Sequence, residues 1–143
     1  MAKKLGNDYR CWIESSTPGT YNEIKGQTSV KVSRKTAEVD TTSKDDFPYG
    51  TNLTGMKAIT LDYEILPTLP DATGFGRLET LAAGSSPVNF QIRKGGSSGT
   101  GSDVVFQASM NIVGHDTEYP MNQPVKCTGQ LTLAAAPTTD LLA

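Results

Sequence analysis

Apolar and polar residues alternate along most of this chain, the period that turns successive side chains to opposite faces of a β-strand. The cleanest run is 56–66: Ile59, Leu61, Tyr63 and Ile65 form one face and Thr60, Asp62 and Glu64 the other, with Pro67 and Pro70 beyond it. An earlier strand, 9–14, stops at Ser15-Ser16-Thr17-Pro18-Gly19, a turn signature. Residues 20–24 resume extended structure and Gly26 allows a bend. In the segment that follows, Val30 and Val32 share one parity while Ala37 and Val39 share the other, which predicts a bulge near Ser33-Arg34-Lys35. Further strands are expected at 88–94, 103–113 and 125–134. Only 71–84 changes period: Phe75, Leu78, Leu81 and Ala82 recur at helical spacing, with Asp71 or Thr73 as cap and Gly84 as terminator. The elements predict a mainly β fold, an antiparallel β-sandwich or barrel with one short flanking α-helix.

The 143 residues suit a single domain, 1–143, with a long loop at 42–54 between the two longest strands and an irregular tail at 137–143. Such a length buries roughly two thirds of the unfolded surface, and 36% hydrophobic residues suffice for a core. A formal net charge of −2 with scattered Lys and Arg argues against a nucleic-acid-gripping face. No apolar run reaches membrane-spanning length and none follows Met1, so neither a membrane span nor a secretory signal is expected. The expected site of synthesis is the cytoplasm. Cys11 and Cys127 fall on the apolar parity of their strands, as reduced, buried thiols do.

Candidate chemistry is sparse. The Gly/Ser stretch 95–102 has no GxxxxGK[ST] and leads into a strand, so it predicts a hairpin tip rather than a phosphate cradle. His115, the only histidine, sits beside Asp116 and Glu118 and is expected in a solvated loop, with no nucleophile or oxyanion signature nearby. Asp40, Asp45 and Asp46 lack the EF-hand order, and no CxxC or Cys/His spacing exists. Neither a metal nor a cofactor is called for. Asn52-Leu53-Thr54 matches a glycosylation sequon that a cytoplasmic chain never presents to that machinery. The expected solvent-facing parities carry Glu38, Asp40, Asp62 and Glu64, then Asn89 and Gln91, then Gln107, Ser109 and Asn111, with Lys31 and Arg93 as the cationic exceptions. By themselves these are ordinary solvated sheet faces.

The wording of several segments adds to this reading. Ile24-Lys25-Gly26-Gln27-Thr28-Ser29-Val30, Arg34-Lys35 and Glu38-Val39-Asp40-Thr41-Thr42-Ser43 are followed in order by Leu53-Thr54-Gly55-Met56-Lys57 and Arg77-Leu78-Glu79. Pro87-Val88-Asn89-Phe90-Gln91-Ile92 and Val105-Phe106-Gln107-Ala108-Ser109-Met110 complete the set. Together they resemble the major tail tube proteins of long-tailed, siphovirus-type bacteriophages. The resemblance implies a non-enzymatic virion protein, assembled in the bacterial host cytoplasm into hexameric rings. Stacked rings make the hollow tail tube for genome delivery. The partners it implies are other copies of itself, tape measure, tail terminator and distal tail proteins, and double-stranded DNA in passage. It also implies a loop that reaches the adjacent ring, here Lys44, Asp45, Asp46, Phe47, Pro48 and Tyr49. The lumen-facing set would be Glu38, Asp40, Asp62, Glu64, Gln107 and Asn111, whose acidic or neutral character repels phosphate. The rivals are the related type VI secretion tube and a monomeric carbohydrate-binding sandwich; the latter is disfavoured by a single tryptophan, Trp12.

Overall fold

Every strand among the described residues, 5–46, 48–68 and 73–140 of the computed structural model, joins one antiparallel sheet. The strands are β1 (Arg10–Glu14), β2 (Tyr21–Glu23), β3 (Gln27–Asp40), β4 (Asn52–Ile65), β5 (Val88–Arg93), β6 (Val104–Glu118), β7 (Lys126–Leu133) and β8 (Thr139–Asp140), and the one α-helix among the described residues, α1, is Phe75–Ala82. Their spatial order is β2-β1-β5-β6-β7-β4-β3, with β8 paired to β6. The mainly β fold with one helix is therefore as the alternation predicts.

β6 turns the sheet into two layers. Its first half, through Met110, pairs with β5, and its second half, from Met110 to Glu118, pairs with β7. The layer β2-β1-β5-β6 thus folds over the layer β6-β7-β4-β3, and one continuous core fills the space between them. Ile13, Leu61, Ile65, Leu78, Phe90, Met110 and Leu131 are among its fully buried side chains. Each such burial is worth about 1.5–3 kcal/mol.

The far ends of the sheet meet through one side chain. The Gln27 amide nitrogen donates to the carbonyls of Ile24 (2.6 Å) and Cys11 (3.1 Å), while its oxygen accepts the Cys11 backbone N–H (2.8 Å). Beside it, Gly26 has φ +83°, and any Cβ there would strike the Leu66 backbone carbonyl, so glycine is obligatory at this bend.

Several expectations need correction. The register of β3 against β4 shifts between Gln27 and Ser29 and between Thr36 and Glu38, not at 33–35. The strands run on to Asp40 and from Asn52, so the connection is shorter than 42–54. α1 spans only eight residues; its N-cap is Gly74 without a side-chain hydrogen bond, and Asp71 lies outside the described residues. Phe75 and Leu78 are buried, and Leu81 packs partly against the core. β6 continues five residues past Val113 and puts His115 in a strand rather than a loop. The tail is not wholly irregular: Thr139 and Asp140 pair with Gln107 and Phe106. Residues 95–102 are two short 3-10 turns, the second fixed by a reciprocal capping box between Thr100 and Asp103. The two cysteines are free and buried, and burial pushes the Cys11 thiol up to about 12.

The Gln27 clamp makes a specific demand on chemistry. Gln27→Leu should lower the unfolding free energy by about 1–3 kcal/mol for each backbone group left without a partner. Gln27→Glu should fail similarly, because a carboxylate cannot donate to two carbonyls. Urea denaturation and amide exchange at Cys11 measure both; unchanged values for Gln27→Glu would show that the clamp contributes nothing.

Candidate assembly surfaces

β3 and β4 outgrow the core. From Arg34 through Ala58 every described side chain is exposed, so the outer half of this hairpin is an arm with no cover of its own. Seven residues on each strand make a shaft about 23 Å long. Val39 and Leu53 are cross-strand neighbours and are 53% and 62% exposed; Met56 and Tyr49 reach 87% and 78%. The tip is tied by threonines: the Thr41 N–H donates to the Thr51 carbonyl (2.9 Å), the Thr51 N–H to Thr42 Oγ1 (2.8 Å), and the Thr42 N–H to the Asp40 carboxylate (2.8 Å). The hydroxyl of Thr42, then its N–H, holds Asp40 below the usual carboxylate range. Lys44, Asp45 and Asp46 form a 3-10 turn at this tip, followed by exposed Pro48 and Tyr49; Phe47 and the Asp46 side chain lie outside the described structure. At the arm's root the Arg34 guanidinium grips the Asp140 carboxylate at 2.5 and 3.3 Å, joining the arm to β8.

The outer face of the β3-β4-β7-β6 layer is polar. Asp62 stands between Lys31 and Gln130, and Glu64 between Ser29 and Thr128. Asn111 pairs with Thr132, which neighbours Thr60 on the same face. Glu38 and Asp40 do not share the face of Asp62 and Glu64: the Thr36/Glu38 shift puts its extra residue in β4, so β3 keeps its alternation and both carboxylates stand on the side of Val30 and Val32, on the arm rather than the body. Gln107 stands apart in the other layer, where its amide donates to Tyr21 (3.4 Å) and accepts from Gln91 (2.9 Å). The structure adds two residues to the polar face. The β6 register shifts between Ile112 and Gly114, which reverses parity and brings Asp116 into line with Thr128 and Glu118 into line with Lys126. Lys126 Nζ lies 3.5 Å from Glu64. Alternation across 114–118 was the available signal, masked by the bulge.

Two polar groups expected in solvent are buried. Gln91 is 5% and Arg93 8% exposed. The Arg93 guanidinium lies 4.4 Å over the Trp12 ring and 5.7 Å from that of Tyr21, and its Nε donates to Gln91 (2.8 Å). Such cation–π stacking covers charge with aromatic faces, so the outer face of β1 and β5 is closed rather than solvated. His115 is likewise engaged: its Nδ1 lies 2.7 Å from Tyr63 Oη, its ring centroid 6.0 Å from that of Phe75, and its Nε2 3.8 Å from Glu79. Burial raises the Tyr63 pKa, so the phenol keeps its proton. Cys127 adjoins the ring at 3.6 Å, and burial raises its pKa too, so it packs as a protonated thiol. The cluster pins α1 to the sheet. Among the described residues no group of three or more His, Cys, Asp and Glu could hold a metal, and no helix is long and apolar enough to cross a membrane.

No protein-family model matches the sequence, and no curated protein matches it. Solved structures do. A chain in the tail of an empty gene transfer agent particle, refined with helical C6 symmetry, superposes with a TM-score of 0.80 at 16% identity, covering 96% of this chain and 98% of that one. The fold is tail-tube-like. A chain of the native gene transfer agent virion gives 0.77 at 16% identity over 99% and 100% of the two chains. One from the six-fold symmetrised anti-feeding prophage baseplate gives 0.68 at 10% identity over 99% of each. This tail-tube-like fold thus persists where little sequence identity remains.

Within the tail-tube-like fold, the His115 cluster depends on a missing side chain. Tyr63 and His115 both oppose Gly129, and a Cβ there would collide with the Tyr63 ring and the Gly114 carbonyl. Gly129→Ala should lower the unfolding free energy by about 1–3 kcal/mol through overpacking. It should also shift the His115 ring resonances as the Tyr63 bond breaks. An unperturbed imidazole spectrum with full stability would contradict this geometry.

Proposed function

We propose that this chain is a structural subunit, acting as one tail tube domain, that polymerises as stacked hexameric rings into the hollow tail tube of a phage-like particle. The observation that carries the reading is the state of the β3-β4-β7-β6 layer. β3 is the terminal strand of the sheet, and β6 beyond Met110 has lost β5 as a neighbour. Open strand edges template pairing with another chain. β3 carries exposed Lys31, Arg34 and Lys35, while the free portion of β6 carries Asp116 and Glu118, with Glu79 of α1 alongside. Opposite charge on the two edges favours head-to-tail pairing, which closes into a ring when the rotation allows. The C6 symmetry of the gene transfer agent tail and the six-fold symmetry of the baseplate support six as the number.

In such a ring the polar outer face of this layer lines the bore, presenting Asp62, Glu64 and Asn111 together with Asp116 and Glu118. Gln107 remains on the other layer, and Glu38 and Asp40 stand on the opposite face of the arm, outside this lining. Carboxylates repel DNA phosphate, and salt screens their mutual repulsion over about 8 Å. The tip, Lys44 to Tyr49, reaches a neighbouring ring. Tape measure, tail terminator and distal tail proteins are the expected further partners, double-stranded DNA passes without specific binding, and the particle tail, built in the host cytoplasm, is the location.

Electron microscopy of the purified protein should show six-fold rings or tubes. Lys31→Glu with Lys35→Glu should abolish them, and adding Asp116→Lys with Glu118→Lys should restore them. Monodisperse monomers from the wild type would refute the tube reading; rings indifferent to both reversals would refute the edge assignment. Asp62→Lys with Glu64→Lys should leave assembly intact yet retain DNA within the tubes, with retention falling as salt rises. Tubes of this variant that hold no more DNA than wild type would remove Asp62 and Glu64 from the lumen.

A further inference from the structure

The arm is not the only exposed apolar feature of the β3-β4-β7-β6 layer. The connection between β6 and β7 carries Tyr119 and Met121, 78% and 88% exposed. Pro120 and Pro124 fix φ on either side, and Asn122 sits in the left-handed region at φ 60°, so the turn is held in one shape. Nothing in the fold of the subunit requires a tyrosine and a methionine to stand in water there.

Strand direction places this turn. Thr60 pairs with Thr132 and Ile65 with Cys127, so the start of β7, and with it the turn, lies at the Ile65 end of β4. The arm departs from the other end, beyond Ile59. Two exposed apolar patches therefore occupy opposite poles of one layer. Such an arrangement cannot be satisfied within one copy, and a two-fold that joins copies end to end brings each patch against its own kind. A translation along the strands brings the turn of one copy onto the arm of the next, and that heterologous contact repeats without closing. Reach selects the part of the arm involved. Met56 lies three residues beyond Ile59, about 10 Å out along the strand, and the tip lies beyond the whole shaft, so a neighbour whose body abuts this pole sets its turn beside the shaft rather than the tip. The flanking charges agree: Glu118 beside the turn and Lys57 beside Met56 are exposed and opposite in sign, whereas Lys126 lies against Glu64.

We propose that the Tyr119-Pro120-Met121 turn is the docking site for the arm shaft, Val39, Leu53 and Met56, of a second copy in the adjacent layer. This rests on the tube reading and adds the receptor for its axial contact. Methionine and tyrosine suit the role, since one adapts its shape and the other buries a large face while keeping its hydroxyl wet.

The test uses the full chain with Met56→Cys and Met121→Cys together. The native thiols, Cys11 and Cys127, are 3% and 0% exposed, so mild oxidation acts on the introduced pair. Assembled tubes should give a ladder of covalent multimers on a non-reducing gel, and neither single variant should extend beyond a dimer. Tubes that form but yield no ladder would overturn the contact. Tyr119→Ser with Met121→Ser supplies an independent reading: rings that no longer stack, with unchanged thermal unfolding, are expected, and unimpaired stacking would overturn it. Absence of both rings and tubes in the wild type would instead defeat the tube reading itself, an outcome distinct from tubes without a ladder.

Discussion

One amide decides the shape of this molecule. An antiparallel sheet with a single apolar face must bury that face, and here it does so by folding over itself until β3 reaches β1. Strand-to-strand hydrogen bonds cannot complete the join where the two backbones diverge. Gln27 substitutes a side-chain amide for a peptide group, with one acceptor and two donors all used on the backbone of Cys11 and Ile24. Closure at this seam is what makes the core continuous. It also determines where closure stops, because β3 beyond the seam has a partner on only one side.

The surface divides accordingly. Where the fold is closed, charge is neutralised within the chain: Arg93 lies under aromatic rings, and Arg10 meets Glu23 at 2.6 Å. Where it is open, along β3, the far half of β6 and the arm, charged and apolar groups stand side by side in solvent. A free monomer gains nothing from that distribution, and single exposed apolar residues would deserve no comment. Their grouping at the two poles of one layer is what distinguishes this surface from an ordinary solvated one.

How much of this was legible in the sequence depended on whether alternation still answered to a core. β4 was readable because its two faces differ at every position from Ile59 to Ile65. The arm defeats the same reasoning: Ala37 and Val39 read as interior positions but stand exposed, so the conflict that predicts a bulge near 34 does not exist, and the shift sits after Thr36. The bulge at Val113 hid the end of β6, and with it His115, Asp116 and Glu118. Gln91 and Arg93 had the correct parity, but parity cannot say that Trp12 and Tyr21 will cover a face. A two-residue strand such as β8 leaves no periodic trace at all. The connection between β3 and β4 is legible from length and composition, signals that depend on no core.

The ion pair between Arg34 and Asp140 joins the first residue of the arm to the last strand of the chain. In mechanical language the arm is a cantilever, and this pair is a brace at its root. A sideways load on the shaft passes through the guanidinium into β8, and from there into β6, the strand common to both layers. Because the brace is half exposed and ionic, its stiffness falls as salt rises while the hydrogen-bonded hairpin keeps its length. The same arm is therefore stiffer in dilute buffer than in brine, and a chain shortened by a few C-terminal residues carries the lever without its brace.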